Sequence, residues 1–185
     1  MSLTPNRIEV GNRTMSVQPL FTEARIKARV AELAAEISQA HGSQENLVIL
    51  VVLHGALLFA ADLVRGLTMP TEIETVRLRS YHGTESTGAV ELVGALPSLQ
   101  GKHVLVVEDI VDTGKSISFL KERLATAGLR SLKVATLLDK PDAHGPETAP
   151  DYTGFSIGRN FVIGYGLDLD GRYRNLPYVA ELVAL

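Results

Sequence analysis

His103 to Leu120 reads HVLVVEDIVDTGKSISFL, and the fold turns on how this stretch changes character along its length. Val104 to Val107 is apolar at every position, as a strand buried on both faces of a parallel sheet should be. Glu108 and Asp109 then stand side by side, Asp112 follows, and Thr113-Gly114-Lys115-Ser116 is small, hydroxylated and flexible. Beyond that, Ile117, Leu120, Leu124 and Ala127 recur at helical spacing, which predicts a helix ending near Gly128. The order is strand, acidic step, small-residue loop, helix.

Such a junction has specific physics. A helix N-terminus offers unpaired N–H groups and the positive end of a dipole, and a glycine lets the backbone close around an anion. Asp112 to Ser116 therefore suits a phosphate, with the hydroxyls of Thr113 and Ser116 as further donors. Glu108 and Asp109 would repel a phosphate at close range. They need another partner, either the two adjacent hydroxyls of a sugar or a magnesium ion held between them. A phosphate beside a diol describes a ribose 5-phosphate. The rival reading is a nucleotide-binding P-loop, because Gly114-Lys115-Ser116 matches the end of that motif. The motif also requires a glycine where this chain has Asp109.

Leu47 to Leu53, LVILVVL, is a second wholly apolar strand. The tight turn His54-Gly55-Ala56 follows, then a helix expected from Gly55 to Gly66 with Leu58, Ala61 and Leu63 inward. Ligands gather at the carboxyl ends of strands in open α/β sheets, so this turn should lie beside the phosphate loop. Upstream, Thr22 suits the cap of a packing helix from Glu23 to His41, with Ile26, Val30, Leu33 and Ile37 on one face and Gly42 as its stop. Residues 1 to 20 contain Pro5, Gly11 and Pro19 and read as a loop-rich entry with at most one short strand. Glu72 to Arg79 and Val90 to Val93 are expected as less buried antiparallel strands. The polar stretch between them opens with Ser80-Tyr81-His82-Gly83, and its length suits either a solvated hairpin or a lid. Leu132 to Leu138 is another apolar strand, ended by Asp139-Lys140-Pro141. After an excursion from Asp142 to Thr153, Phe155 to Ile157 and Phe161 to Tyr165 are short strand candidates.

Composition narrows the function. The 185 residues are 45% hydrophobic, enough for one well-packed domain, and the net charge of −3 is spread without a basic run. That balance argues against a nucleic-acid or membrane surface. Cysteine is absent, which excludes disulfides, a thiol nucleophile and cysteine-bound zinc. With no secretory signal and no apolar run of membrane-spanning length, a cytoplasmic protein is expected.

VLVVEDIVDTG resembles the phosphoribosyl-pyrophosphate (PRPP) signature of the type I phosphoribosyltransferases, and EDIVDTGKS is similar to its hypoxanthine-guanine branch. The likeness runs from about Val48 to Tyr178. It implies a central, mostly parallel sheet flanked by helices, with a small hood formed by terminal segments. One domain over 1–185 is expected, its core at about 22–165 and its hood at about 1–20 and 139–185. The implied reaction transfers 5-phosphoribose from PRPP to a 6-oxopurine, hypoxanthine and also guanine, and releases pyrophosphate.

The resemblance also implies roles. Glu108, Asp109, Asp112, Thr113, Gly114, Lys115 and Ser116 would bind the ribose 5-phosphate part of PRPP, with Asp112 exchanging a proton with purine N7. His54, Gly55 and Arg174 would hold pyrophosphate, with Arg159 and Arg172 as nearby alternatives on spacing. The family commonly has Lys before this glycine, so the side-chain contribution of His54 stays open. Lys140 would meet the exocyclic oxygen at purine C6, Phe161 would stack on the ring, and Val162 would read its edge through the backbone. Mg2+ is the implied cofactor, with Glu108, Asp109 and Asp168 as ligands. Ser80 and Tyr81 match the family's mobile active-site loop, whose closure would keep water from an oxocarbenium-like centre. A homodimer or homotetramer is expected. Two other functions keep the same motif: a xanthine-guanine or other phosphoribosyltransferase, and a PRPP-sensing regulator that binds nucleic acid.

Overall fold

The computed structural model describes residues 7–42, 47–80 and 90–185. Its larger sheet has the order β5-β4-β3-β6-β7-β8, from Val90–Val93, Thr71–Ser80, Leu47–Leu53, His103–Val111, Ser131–Asp139 and Tyr152–Ser156. All neighbours in it are parallel except β5, which runs antiparallel to β4. The apolar runs of β3 and β6 lie at its centre, where both faces are covered, and that is why they show no polar alternation.

Alternate residues of β3 divide the core in two. Leu47, Ile49 and Val51 pack under α1 (Glu23–His41) and α2 (Leu57–Gly66), while Val48, Leu50 and Val52 face α3 (Lys115–Leu124). The predicted α1 is present with its signals. The Thr22 side chain accepts from the Arg25 N–H, Gly42 closes the helix at φ +66°, and Ile26, Val30, Leu33 and Ile37 are buried. Each large side chain fully buried on this face contributes about 1.5–3 kcal/mol.

A second, four-stranded sheet has the order β1-β2-β10-β9, from Arg7–Val10, Arg13–Phe21, Val179–Ala184 and Phe161–Ile163. Its strands are antiparallel and enclose a core of Ile8, Val17, Ile163, Leu176, Ala180 and Leu182.

Several expectations need correction. Residues 7–21 form two strands rather than a loop with one, and Pro19 is accommodated beside a register shift opposite Val179/Ala180. β10 was not anticipated. α2 begins at Leu57 and buries Phe59, Ala60 and Leu63, whereas Leu58 is exposed, because three residues are consumed by the turn and the inward face rotates with the later start. α3 ends at Leu124, so Ala127 and Gly128 follow it. β6 runs through the acidic pair to Val111 instead of stopping before it, since β7 continues the ladder opposite Glu108, Ile110 and Val111.

Candidate active site

The carboxyl ends of β3 and β6 meet at the site. After Val111 the chain turns through Asp112 and Thr113, and Gly114 starts α3 at φ +73°. A side chain at 114 would also run into Thr148, which is buried in the 3-10 turn Pro146–Thr148. Both conformation and space therefore demand glycine there. Residues 108 to 117 border a cavity of about 200 Å³ whose floor is the N-terminus of α3. This brings Glu108, Asp109, Asp112, Thr113, Gly114, Lys115 and Ser116 around one anion-sized space with free N–H groups at its base.

Glu108 and Asp109 do not share a face. Consecutive strand residues point to opposite sides, and Asp109 follows Val107 toward the α2 side, where its carboxylate lies against Gly55. Both acids border the cavity, but they are no chelating pair by themselves. Among the described residues no three His, Cys, Asp or Glu side chains form a ready metal cage. Burial pushes the Glu108 carboxyl well above its ordinary range, and the charge of Asp109 adds to this. Burial also lifts Asp109, to about 6, against the opposing help of the Ile110 N–H and of Arg174. Among the described residues nothing hydrogen-bonds to Glu108 Oε2. A buried, unpartnered carboxyl oxygen beside this cavity is chemistry that a hydroxyl or a hard cation would complete.

Opposite stands a wall made of close backbone approaches. The Leu53–His54 peptide is cis, His54 is exposed, and Gly55 is buried with Asp109 on one side. On the other side Gly166, at φ +102°, lies so close to the Gly55 carbonyl that a Cβ at 166 would overlap it. Arg174 fixes Gly166 twice: its Nη1 donates to Gly166 O at 2.6 Å, and its own carbonyl accepts from Gly166 N at 3.0 Å. Arg174 Nη2 also pairs with Asp168 Oδ1 at 2.7 Å, while Asp168 Oδ2 accepts from Gly171 N at 2.8 Å. The arginine and aspartate expected in separate roles are thus partners in this state. Arg159 is directed elsewhere, donating to Asp142 O, and Arg172 is exposed.

A second cavity of about 240 Å³ continues from Asp109 and Asp112 between Lys140, Phe161, Val162, Leu167 and Asp168. Lys140 is buried, yet its Nζ meets Asp112 Oδ2 at 3.0 Å, and its N–H extends the sheet ladder to Val111 O. Phe161 is 49% exposed at the cavity mouth, so one aromatic face is free for a planar ligand. A flat base held there would face an acid and a cation along one edge. Ile110, Leu167, Gly166 and Thr148 also shape the site; sequence reasoning missed them because apolar and small residues carry no chemical signature. Ser80 ends β4, but its side chain and Tyr81 lie outside the described residues.

The profile of the phosphoribosyl transferase domain matches residues 16–170. The chain belongs to this phosphoribosyltransferase family. Within it, the relatives define the hypoxanthine(-guanine) branch. A hypoxanthine-guanine phosphoribosyltransferase of Mycobacterium avium is 44% identical over 170 residues, covering 88% of this chain and 84% of the relative. The hypoxanthine phosphoribosyltransferase of Salmonella typhimurium is 39% identical over 92% of this chain and 97% of its own. The crystal structure of a Staphylococcus aureus hypoxanthine phosphoribosyltransferase superposes with a TM-score of 0.83 at 37% identity, covering 89% and 90% of the two chains.

Proposed function

We propose that this protein is a purine-salvage enzyme that transfers 5-phosphoribose from PRPP to hypoxanthine and guanine, giving the nucleoside monophosphate and pyrophosphate. The observation that carries the reading is the pair of joined cavities, one a phosphate cradle and one flanked by an exposed aromatic, with Asp112 between them. Asp112 to Ser116 hold the 5-phosphate through backbone N–H groups and hydroxyls. Glu108 and Asp109 take the ribose hydroxyls. Gly55, Gly166 and Arg174 line the path of the leaving pyrophosphate, and Arg174 exchanges its pairing with Asp168 for phosphate oxygens as substrate arrives.

On the base side Phe161 stacks and Lys140 donates to the oxygen at C6. Asp112 moves off Lys140 to accept the proton at N7 as N9 attacks the anomeric carbon. An ammonium donor at C6 favours an oxo group over an amino group, which has no acceptor to offer it. The small sheet serves as a hood over the base, and the Ser80-Tyr81 segment as a lid.

Mg2+ fits the donor set as an ion shared with the substrate: Glu108 or Asp109 supplies one or two hard oxygens, and PRPP and water supply the rest. Bound there, it would neutralise charge on the departing pyrophosphate. Asp168, with both oxygens engaged, would reach a second ion only after Arg174 lets go. Assembly into a dimer or tetramer is part of the same proposal.

The test is turnover of PRPP with each purine in turn. Hypoxanthine and guanine should react with adenine at least about a hundredfold slower, the discrimination a site gains from a mismatched buried polar group. Reaction of xanthine alone would move the assignment to another branch. PRPP binding without turnover, together with PRPP-sensitive binding of a nucleic acid, would favour the regulator.

Gly55→Ala offers a sharper check on the wall. Its methyl group has no room beside Asp109, so the turn must shift, and kcat/KM for PRPP should fall about a hundredfold. Steady-state kinetics with PRPP varied read this directly. Unchanged kinetics would place the turn outside the substrate path.

A further inference from the structure

We infer that His144 is a positioning residue that ties the purine-contacting turn to the phosphate loop through hydrogen bonds from both ring nitrogens. The inference builds on the function proposed above. His144 lies between the 3-10 turns Pro141–Ala143 and Pro146–Thr148, with its side chain 3% exposed. Its Nε2 is 2.8 Å from Asp139 Oδ1, and its Nδ1 is 3.0 Å from Gly145 O. A carbonyl and a carboxylate only accept, so both nitrogens must donate, and a ring with two N–H groups is the imidazolium. The Gly145 carbonyl, then Asp139 and Glu147, raise its pKa against the opposing effect of burial.

Each hand of this clamp holds one half of the site. Asp139 ends β7, immediately before Lys140, and its carbonyl accepts from Ile157 N at 2.8 Å. Gly145 O also accepts from Thr148 Oγ1 at 3.0 Å and from Thr148 N at 3.2 Å. Thr148 is the residue against which Gly114 of the phosphate loop packs. Lys121 Nζ donates to Glu147 O at 2.7 Å and fastens the same turn to α3. A continuous path therefore runs from Lys140 through Asp139, His144, Gly145 and Thr148 to Gly114. Purine and ribose 5-phosphate meet at the two ends of that path, and their relative placement decides how N9 faces the anomeric carbon.

Two measurements test it. Nitrogen-15 NMR of the resting protein at pH 7 should show both His144 ring nitrogens protonated; a bare nitrogen would overturn the clamp whatever the enzyme's substrates are. In steady-state kinetics, His144→Ala should lower kcat about tenfold, with KM for PRPP and for hypoxanthine each within about threefold, because both substrates still bind but N9 is no longer held facing the anomeric carbon. Asp139→Asn, which keeps an acceptor without its charge, should fall between. His144→Gln, which keeps one donor, replaces the alanine variant if that one does not fold. An unchanged kcat, or a rise in KM alone, would overturn the inference. Failure of the wild-type enzyme to use any 6-oxopurine would instead overturn the assigned function, and the NMR result would stand apart from it.

Discussion

Replacing Asp112 with asparagine is expected to lower kcat about 10²- to 10³-fold, with KM for PRPP changed less than about threefold. The substitution keeps the size of the side chain and one oxygen for Lys140, so the loop keeps its shape while the proton acceptor is lost. Asp112 is suited to that task by position. Its side chain is half exposed at the rim shared by the two cavities, and its partner Lys140 is buried behind it. Single-turnover rates of nucleotide formation are the direct reading. A variant within twofold of the parent would leave Asp112 as a residue that shapes the loop and nothing more.

The second large effect couples stability to activity at Asp109. In the folded chain its carboxyl ionises at about 6, raised by burial, against an ordinary value of 3.8. Between those values the folded state binds more protons than the unfolded one, so stability falls as pH rises through this window, and the whole cost is present above about pH 6. Allowing for partial exposure, that cost is about 2 kcal/mol. Asp109→Asn should therefore melt about 5 °C above the parent at pH 8 without substrate, and the gap should close near pH 4. The same variant should lose about 10² in kcat/KM for PRPP, because under the proposed function this buried carboxylate would be what the ribose hydroxyls satisfy. Equal melting temperatures at pH 8 would show that the acid is not held at a cost.

The parts of this molecule that were legible in sequence were those where one physical demand dominates. LVILVVL and VLVV read as central strands because they are short, rich in β-branched residues and apolar on both faces, and Thr22 and Gly42 bracket α1 because caps have few substitutes. The turn from Asp112 to Ser116 into α3 was legible because a strand end, a glycine and a new helical period have to meet there. The small sheet was not, because β1 is only four residues long, β2 is partly exposed and carries Pro19, and their apolar face exists only once β10 is paired with β2. Pairing between Arg174 and Asp168, or between Lys140 and Asp112, is likewise a property of folds over long separations. The opposite facing of Glu108 and Asp109 was available from strand geometry, once the strand was known to continue beyond them.

The strand order β1-β2-β10-β9 makes the two cavities separable. Among the described strands β10 alone bridges β2 to β9, which carries Phe161 and Val162. The larger sheet, with the loop from Asp112 to Ser116, takes all six of its strands from residues 47–156 and closes without β10. Phe161 and Val162, by contrast, pair with no other described strand of the small sheet. Removing β10 would accordingly unseat the β9 edge of the second cavity while leaving the first one whole, so the two cavities depend on different parts of the chain for their integrity.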